Sequence, residues 1–582
     1  MKKNWQPVLV VVVLLLIVVA ATVIGRIADK YTPTKEKANL YKEYEVEEDS
    51  NMAAIILQDT KSDKKALVED GVIYLEFNMI KDTFNHRFYF DTQEELLLYT
   101  TPDSLIRCEA GKKEYKVNKK KQKTDYEIVK LITQDTITTT YVALDFVKQF
   151  TALEYEFYQE PARVCITYQW GNVTTCSAKE ETAVRVDANI KSPVMVNAEE
   201  SAKLRVIEKK DKWTKVISED GLIGYVQNKY LGKEEEETLK TDFEEPVYDS
   251  IKKDKKINMV WHQMENVSAN DNMAGMITDT DGITVLSPTW FRLSDNKGNI
   301  SDIGSASYVK LAHKLGYEVW ALVDDQAAES DDAIVLAKTT SRQKIVKNLM
   351  NAVEEYNLDG INVDLEYIKK ENAEDYLQFL RELSIECRKS DVVLSIDNYI
   401  PKEYNLHYDR TEQGILADYI VVMCYDEHHS QSEEAGSVAS LPFVREGIEN
   451  TLKEVPAEKV IMAVPFFTRV WKETPEEYAD SNSQIYENKG NRYSLSSRAL
   501  GMDGADEEIE SNHAEKAWNE ELGQYFASWE KDNSTYMVWL EETRSLEEKL
   551  KLISEHNLAG VSGWRLGLEN SKVWDIMKKY LE

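Results

Sequence analysis

From Lys256 onward, short apolar runs of strand composition alternate with segments long enough to form helices. Two of these segments, Ser341–Tyr356 and Glu371–Arg388, carry apolar residues at helical spacing. Strands that are apolar along their whole length are typical of parallel sheets covered by helices on both faces. The eight predicted strands are Ile257–Trp261, Ile283–Leu286, Glu318–Val323, Gly360–Leu365, Val392–Ile396, Tyr419–Cys424, Val460–Pro465 and Val561–Trp564.

Eight such units over about 320 residues predict an α/β fold for residues 257–582, a closed (β/α)8 or TIM barrel. A doubly wound open sheet is the alternative, but no glycine-rich phosphate loop supports a nucleotide-binding fold. The polar stretch from Trp471 to Trp518 is long for a connection and predicts a small insertion beside the barrel mouth.

The amino terminus has no charged residue from Val8 to Gly25, and most residues in this run are Val, Leu or Ile. About 18 residues at 1.5 Å each suffice to cross the apolar core of a bilayer. Residues 1–28 are therefore predicted to be a transmembrane anchor, with a cleaved signal peptide as the alternative. Because Lys2 and Lys3 should stay on the cytoplasmic side, the rest of the chain is predicted to lie outside the cell membrane, facing the wall.

The region between anchor and barrel divides by composition. Residues 29–65 are polar and predict a stalk, and residues 234–256 predict a linker that begins with the charged run Glu234–Glu237. Residues 66–176 predict an α+β module, because two stretches, near 71–90 and 141–157, share the order strand, short helix, strand. Residues 178–233 contain short alternating strands separated by turn-prone clusters, which predict a small all-β barrel.

Charge and cysteine content exclude several functions. With 71 basic and 103 acidic residues the net charge is −32, which excludes a protein that binds nucleic acid by neutralising phosphates. No two of the five cysteines have the sequence spacing of metal ligands, so no metal site and no cofactor are expected. Export permits disulfides, and Cys165 and Cys176 flank a turn across which they could pair. The oligomeric state stays open.

The segment Asp359-Gly-Ile-Asn-Val-Asp-Leu-Glu-Tyr367 carries the predicted chemistry. Side chains on a strand alternate between faces, so three apolar residues can pack under helices while three polar residues face the barrel interior. The apolar set is Ile361, Val363 and Leu365, and the polar set is Asn362, Asp364 and Glu366. Neighbouring buried carboxyls separate their pKa values, so one can keep a proton near neutral pH and act as a general acid. Glu366 is nearest the carboxyl end of the strand, where barrel active sites lie.

These residues also carry a resemblance. "DGINVDLE" resembles the D-G-x-D-x-D-x-E signature of glycoside hydrolase family 18, the chitinase-like family. Three further stretches agree in order and spacing, namely "MCYD" from Met423, "AVPFFTRVW" from Ala463 and "GVSGWRLG" from Gly560. The stretches Ser287–Ile300 and Tyr425–Pro442 look closer to the bacterial branch that cuts spore-cortex or wall peptidoglycan. Residues 178–233 resemble a bacterial SH3-like domain, and 66–176 resemble an amine-oxidase amino-terminal-like module without implying oxidase chemistry.

The family resemblance implies a retaining mechanism in which the 2-acetamido group of the substrate is the nucleophile. It implies that Glu366 protonates the leaving oxygen, that Asp364 stabilises the acetamido group and that Tyr425 hydrogen-bonds its oxygen. The predicted substrate-binding residues are Asn362, Asp426, Trp564, Trp290 and Tyr399.

One position departs from the family pattern, because Asn362 stands where the family has its middle Asp. An amide cannot take up a proton, but it can still donate a hydrogen bond and hold Asp364. We therefore expect altered pH dependence rather than inactivity.

The expected function is hydrolysis of a β-1,4-linked glycan that contains N-acetylglucosamine, either peptidoglycan or a chitin-like polymer. The alternative is a catalytically weak, lectin-like protein that binds cell-wall glycan. Glu366 argues against the alternative, because lectin-like relatives often lose this residue.

Overall fold

A computed structural model describes residues 6–488 and 490–581, so Lys2 and Lys3 of the predicted anchor lie outside the described residues. The chain forms two compact units. The first extends to residue 88 and includes 108–115 and 121–245, and the second comprises 89–107, 116–120 and 246–582.

A single helix, Gln6–Tyr31, begins the described chain. Its segment Pro7–Tyr31 is long and apolar enough to cross a membrane, and none of it is buried against protein. A signal sequence would pass the same test of length and composition.

The first unit contains a mixed seven-stranded sheet. In spatial order its strands are Glu154–Gln159, Ala162–Thr167, Met52–Leu57, Thr60–Glu69, Val72–Glu76, Ile137–Ala143 and Val129–Gln134. The short helices Phe77–Thr83 and Leu144–Lys148 follow the strands that end at Glu76 and Ala143, as the two related stretches predict. The predicted stalk 29–65 is wrong from Leu40 onward, because helix Leu40–Tyr44 and two of the strands lie there. Residues 60–65 of this strand are exposed or half-buried, and they are the polar residues that suggested a stalk.

An antiparallel seven-stranded sheet completes this unit. Its strands, in spatial order, are Val194–Ala198, Thr182–Arg185, Ile223–Gln227, Trp213–Ser218, Lys203–Lys209, Gly171–Ser177 and Glu235–Leu239. Five strands fall within the predicted all-β segment 178–233. The predicted linker is wrong at its start, because Glu235–Leu239 pairs with Gly171–Ser177. Cys165 and Cys176 are free thiols, so the disulfide considered above is not formed.

The second unit contains a closed barrel of eight parallel strands, as the sequence predicts. We label them β1 to β8 in chain order: Ile257–His262, Val285–Pro288, Glu318–Asp324, Gly360–Asp364, Val393–Tyr399, Tyr419–Met423, Val460–Pro465 and Gly560–Trp564. Pairing of β1 with β8 and of β2 with β3 completes the ring. The surrounding helices are Ala306–Leu315, Thr339–Tyr356, Ala373–Lys389, Arg410–Leu416, Leu441–Thr451, Thr543–His556 and Val573–Leu581.

Strand alternation creates two hydrophobic layers. Ile361 and Val363 of β4 pack outward in the large cluster beneath the helices. Met259, Trp261 and Trp320 belong to a separate cluster inside the ring. The barrel interior is therefore a filled core, and the polar residues gather where the strands end.

An inserted subdomain lies between β7 and β8 and is larger than the sequence predicts. It comprises helix Met502–Ser511 and a six-stranded antiparallel sheet of Phe467–Pro475, Ile485–Asn488, Asn491–Gly501, Lys516–Asn519, Gln524–Lys531 and Ser534–Leu540.

A hairpin outside the predicted barrel region also belongs to the second unit. Its strands Tyr89–Asp91 and Leu96–Thr100 lie inside the segment assigned by sequence to the α+β module. Asp91 accepts hydrogen bonds of 2.7 Å from the backbone and hydroxyl of Thr339, where a barrel helix begins. The Arg342 guanidinium, fully buried, pairs with Glu382 at 3.0 Å and donates to the Tyr89 hydroxyl at 3.2 Å. These contacts explain why the boundaries 66–176 and 257–582 do not separate two compact units.

Candidate active site

The polar face of β4 meets a second polar face on β5. Parallel pairing sets Asn362 beside Ser395 and Val363 beside Ile396, so the next inward pair in register is Asp364 and Asp397. Asp364 and Asp397 are 7% and 3% exposed, respectively. Two carboxyls on adjacent strands thus share the interior near the barrel mouth.

These two carboxyls are incompletely hydrogen-bonded. Asp364 Oδ1 and Asp397 Oδ2 are buried and have no hydrogen-bond partner among the described residues. Burial raises the pKa of Asp364 well above its usual value, and the charges of Asp397 and Glu366 raise it further. Burial likewise raises the pKa of Asp397, although the hydrogen bond from Asn362 opposes the shift. In such a pair the ionisation of one carboxyl disfavours the ionisation of the other, so the two groups titrate together.

Glu366 follows the end of β4 and is half-buried. Its Oε1 accepts a hydrogen bond of 3.1 Å from Gln326 Nε2, and its Oε2 accepts one from the Tyr399 hydroxyl. Burial raises the pKa of Glu366, and the charge of Asp325 adds to this, while the two hydrogen bonds lower it. The net upward shift keeps the carboxyl protonated to higher pH, as a general acid requires.

Asn362 does not occupy the position predicted for a substrate contact. It is 0% exposed, and its Oδ1 accepts from Trp261 Nε1 at 2.9 Å and Ser287 Oγ at 3.1 Å. Its Nδ2 donates to Ser395 Oγ at 3.0 Å and Asp397 Oδ1 at 2.7 Å. Every hydrogen-bonding group of the amide is directed at protein, so Asn362 orients Asp397 and does not face a ligand.

Tyr425 and Asp426 lie just beyond β6, which ends at Met423. The Tyr425 ring is half-buried and meets Phe467 edge to face, with centroids 6.3 Å apart. Burial and the charges of Asp364 and Asp397 raise the pKa of Tyr425 well above 10, so its hydroxyl remains a proton donor. Asp426 takes a left-handed backbone conformation with φ of 58°, which turns the chain away from the strand.

Trp564 ends β8 and is half-buried, with its ring against Trp261 at a centroid distance of 5.6 Å. Tyr399 ends β5, and its hydroxyl reaches Glu366 as described above. Both residues thus lie at the carboxyl ends of barrel strands, where the sequence placed them.

Trp290 does not lie in the groove. It is 1% exposed and packs in the outer hydrophobic layer, where its ring lies 5.1 Å from that of Tyr308. Its indole nitrogen donates to Asn270 Oδ1 at 2.9 Å. The prediction that Trp290 lines the groove is therefore wrong, because helix Ala306–Leu315 and the residues after β1 enclose the ring.

The structure adds three residues that the sequence analysis missed. Asp397 could have been found from the polar alternation of Ser395, Asp397 and Tyr399 along β5. Gln326 and Asp325 lie just after β3, and only the folded ring brings them to Glu366. Asp325 Oδ2 accepts a 2.8 Å hydrogen bond from the backbone of Tyr367, which fixes the residue next to Glu366.

The closed ring of eight parallel strands thus carries Glu366 and a buried carboxyl pair at its carboxyl end, where the active sites of TIM-barrel enzymes lie. Residues 294–569 match the family described as glycosyl hydrolases family 18. This part of the chain is a family 18 glycosidase domain, and the resemblance drawn from the four sequence motifs is confirmed.

Individual relatives are similar over the same part of the chain. An uncharacterized glycosylase, YvbX, of Bacillus subtilis (strain 168) is 24% identical over 300 residues, which are 49% of this chain and 81% of that protein. The cortical fragment-lytic enzyme of the same organism is 26% identical over 250 residues, 41% of this chain and 54% of that protein. The crystal structure of a carboxyl-terminal domain from Desulfitobacterium hafniense DCB-2 has a TM-score of 0.50 at 20% identity, covers 56% of this chain and 100% of that domain, and supports the fold.

Proposed function

We propose that this chain is a membrane-anchored retaining glycosidase that cleaves β-1,4-linked glycans containing N-acetylglucosamine, with peptidoglycan as its substrate. The observation that carries the proposal is the half-buried Glu366, which has a raised pKa, is held by Tyr399 and Gln326, and lies two residues after Asp364. The name of the cortical fragment-lytic relative supports a wall glycan, although the match spans about half of that protein.

Glu366 is the proposed acid and base. Its carboxyl donates a proton to the glycosidic oxygen as the bond to the anomeric carbon breaks. The resulting carboxylate then takes a proton from the water that attacks the anomeric carbon. The hydrogen bonds from Tyr399 and Gln326 keep the carboxyl in place and stabilise its ionised form between the two steps.

Asp364 and Tyr425 are proposed to handle the 2-acetamido group. The acetamido oxygen attacks the anomeric carbon and forms a cyclic oxazolinium, so no protein nucleophile is needed. Positive charge develops on this group, and ionised Asp364 stabilises it while the Tyr425 hydroxyl orients the oxygen. Asp426 is proposed to contact sugar hydroxyls, and the Trp564 ring is proposed to form the floor beneath the cleaved sugar.

Substitution of the proposed acid tests the assignment directly. The full-length protein in detergent micelles is incubated with a chromogenic chitobioside and with purified wall sacculi, and products are read by absorbance and mass spectrometry. We expect Glu366→Gln to lower kcat by about a hundredfold to ten-thousandfold. Glu371→Gln, an exposed residue shortly after the site, is the matched control. Unchanged release by Glu366→Gln would remove this residue from its role, and binding without release by the wild type would favour the lectin-like alternative.

The stereochemistry tests the substrate-assisted route. Proton NMR of early product should show the β anomer, because two displacements at the anomeric carbon retain configuration. A glycan of the same linkage with hydroxyl in place of the acetamido group should not be cleaved. Early α product, or cleavage of the hydroxyl analogue, would contradict the acetamido nucleophile.

The helix Gln6–Tyr31 is proposed to be an uncleaved single-pass anchor that leaves the barrel outside the cell. We expect the full-length protein to remain in the membrane fraction after alkaline carbonate extraction, and to be degraded by protease added to intact protoplasts. A mature protein that begins after residue 25 would instead favour a cleaved signal peptide.

A further inference from the structure

A polar cavity opens at Arg565, the residue that follows Trp564 in the chain. It has a volume of about 260 Å³ and lies between the segment that follows β1 and the residue that follows β8. Its polar lining consists of Gln263, Glu265, Asn266, Ser268, Asn272 and Arg565. The backbone of Leu566 donates to the carbonyl of Trp261 at 2.9 Å, which fixes the chain just after Arg565.

The positive charge in this cavity comes from Arg565. The residue is half-buried, and within the described ranges 6–488 and 490–581 no carboxylate lies within ion-pair distance of its guanidinium. Nearby His262 is neutral at ordinary pH, because burial and then the charge of Arg565 lower its pKa to about 4. An unpaired, half-buried arginine is unexpected in a chain with 103 acidic and 71 basic residues.

We propose that this cavity is a sugar subsite that selects a glycan carrying a carboxylate, with Arg565 as the group that binds it. The inference rests on the proposed function, because it places the sugar next to the one above Trp564. The planar guanidinium can form two parallel hydrogen bonds to a carboxylate.

The rest of the lining agrees with this ligand. The amides of Gln263, Asn266 and Asn272 can exchange hydrogen bonds with sugar hydroxyl and acetamido groups. Glu265 on the same wall repels an anion, so Arg565 alone must bind the carboxylate, and a doubly charged phosphate would be repelled more strongly. A lactyl ether on N-acetylglucosamine, as in peptidoglycan stripped of its peptides, has this chemistry.

Binding without turnover tests the inference separately from the proposed reaction. The full-length Glu366→Gln protein in micelles is titrated calorimetrically with two glycans. One is a β-1,4 oligomer in which N-acetylglucosamine alternates with its lactyl ether bearing free carboxylates, and the other has the same carboxylates converted to methyl amides. We expect the acid form to bind at least about tenfold more tightly, as one charge-assisted hydrogen bond supplies.

Adding Arg565→Met to this background should abolish the preference between acid and amide. Arg445→Met, which removes an arginine that pairs with Glu555 on the barrel surface, should preserve it. Equal binding of the two glycans before substitution, or a preference that survives Arg565→Met, would overturn the proposal. Cleavage of neutral chito-oligosaccharides by the wild type reports on the proposed function alone.

Discussion

Replacing Asp397 by Asn tests the role of the buried carboxyl pair. Asn362 Nδ2 donates to Asp397 Oδ1 at 2.7 Å, which favours the ionised form of Asp397. Asp364 Oδ1 has no partner among the described residues, and the charge of Asp397 helps to raise the pKa of Asp364. An Asn at 397 is nearly isosteric and keeps an acceptor for Asn362, but it removes the charge that opposes ionisation of Asp364.

The size of the effect follows from the strand geometry. Adjacent strands lie about 4.8 Å apart, so the two carboxyls are separated by about 5 Å. At an effective dielectric constant of about 20, two unit charges at that distance repel by about 3 kcal/mol. This corresponds to about 2 pKa units, so the pKa of Asp364 should fall by that amount in Asp397→Asn.

The assay is the pH profile of kcat/KM. If ionised Asp364 stabilises the developing positive charge, protonation of Asp364 sets the acid limb, and a lower pKa moves that limb to lower pH by about 2 units. Asp391→Asn, an exposed turn residue with φ of 56° before the same strand, is the control and should leave the limb in place. An acid limb that moves by less than 0.3 unit in Asp397→Asn would refute the reasoning.

Two further predictions concern neighbouring interactions. Arg342→Met leaves the Glu382 carboxylate buried without its partner, so the free energy of unfolding measured in urea should fall by about 3–5 kcal/mol, and adding Glu382→Leu should restore most of it. A free energy of unfolding of Arg342→Met within 1 kcal/mol of that of the wild type would contradict this. Tyr399→Phe removes a hydrogen bond that lowers the pKa of Glu366, so this pKa should rise and the basic limb of the kcat/KM profile should move up by about 1 unit. Because kcat/KM reports the free enzyme, an unmoved limb would mean that the bond does not hold Glu366 in the free enzyme.

The barrel could be predicted because its strands are local and uniform in composition. All eight predicted runs are strands, since a strand buried on both faces must be apolar along its length. The stalk prediction failed for the opposite reason, because Thr60–Glu69 buries part of its length and exposes polar residues elsewhere. The hairpin from Tyr89 to Thr100 was misassigned because contacts with Asp91 and Arg342 join residues about 250 positions apart, which no local pattern reports.

The residues of the candidate site were also predictable only where they are close in sequence. Asp364 and Glu366 lie on one strand, so alternation alone relates them. Asp397 and Gln326 reach this pair only through the order of strands in the ring, and the sequence gives no register between β3, β4 and β5. Trp290 was misplaced because a tryptophan after a strand end fits either a groove or a core.

Asn362 stands where the family has an Asp, and a last prediction concerns exchanging the amide at 362 with the carboxyl at 397. In Asn362→Asp the new carboxyl would face Asp397 in place of a 2.7 Å hydrogen bond, at a position with 0% exposure. The same Coulomb estimate predicts that the free energy of unfolding falls by about 3 kcal/mol at neutral pH. The double variant Asn362→Asp with Asp397→Asn restores one donor and one acceptor, and it moves the negative charge from β5 to β4. We therefore expect urea unfolding to show the double variant more stable than Asn362→Asp alone by at least 2 kcal/mol. If the effects of the two single changes on the free energy of unfolding simply added in the double variant, Asp397 would not compensate for the amide at 362.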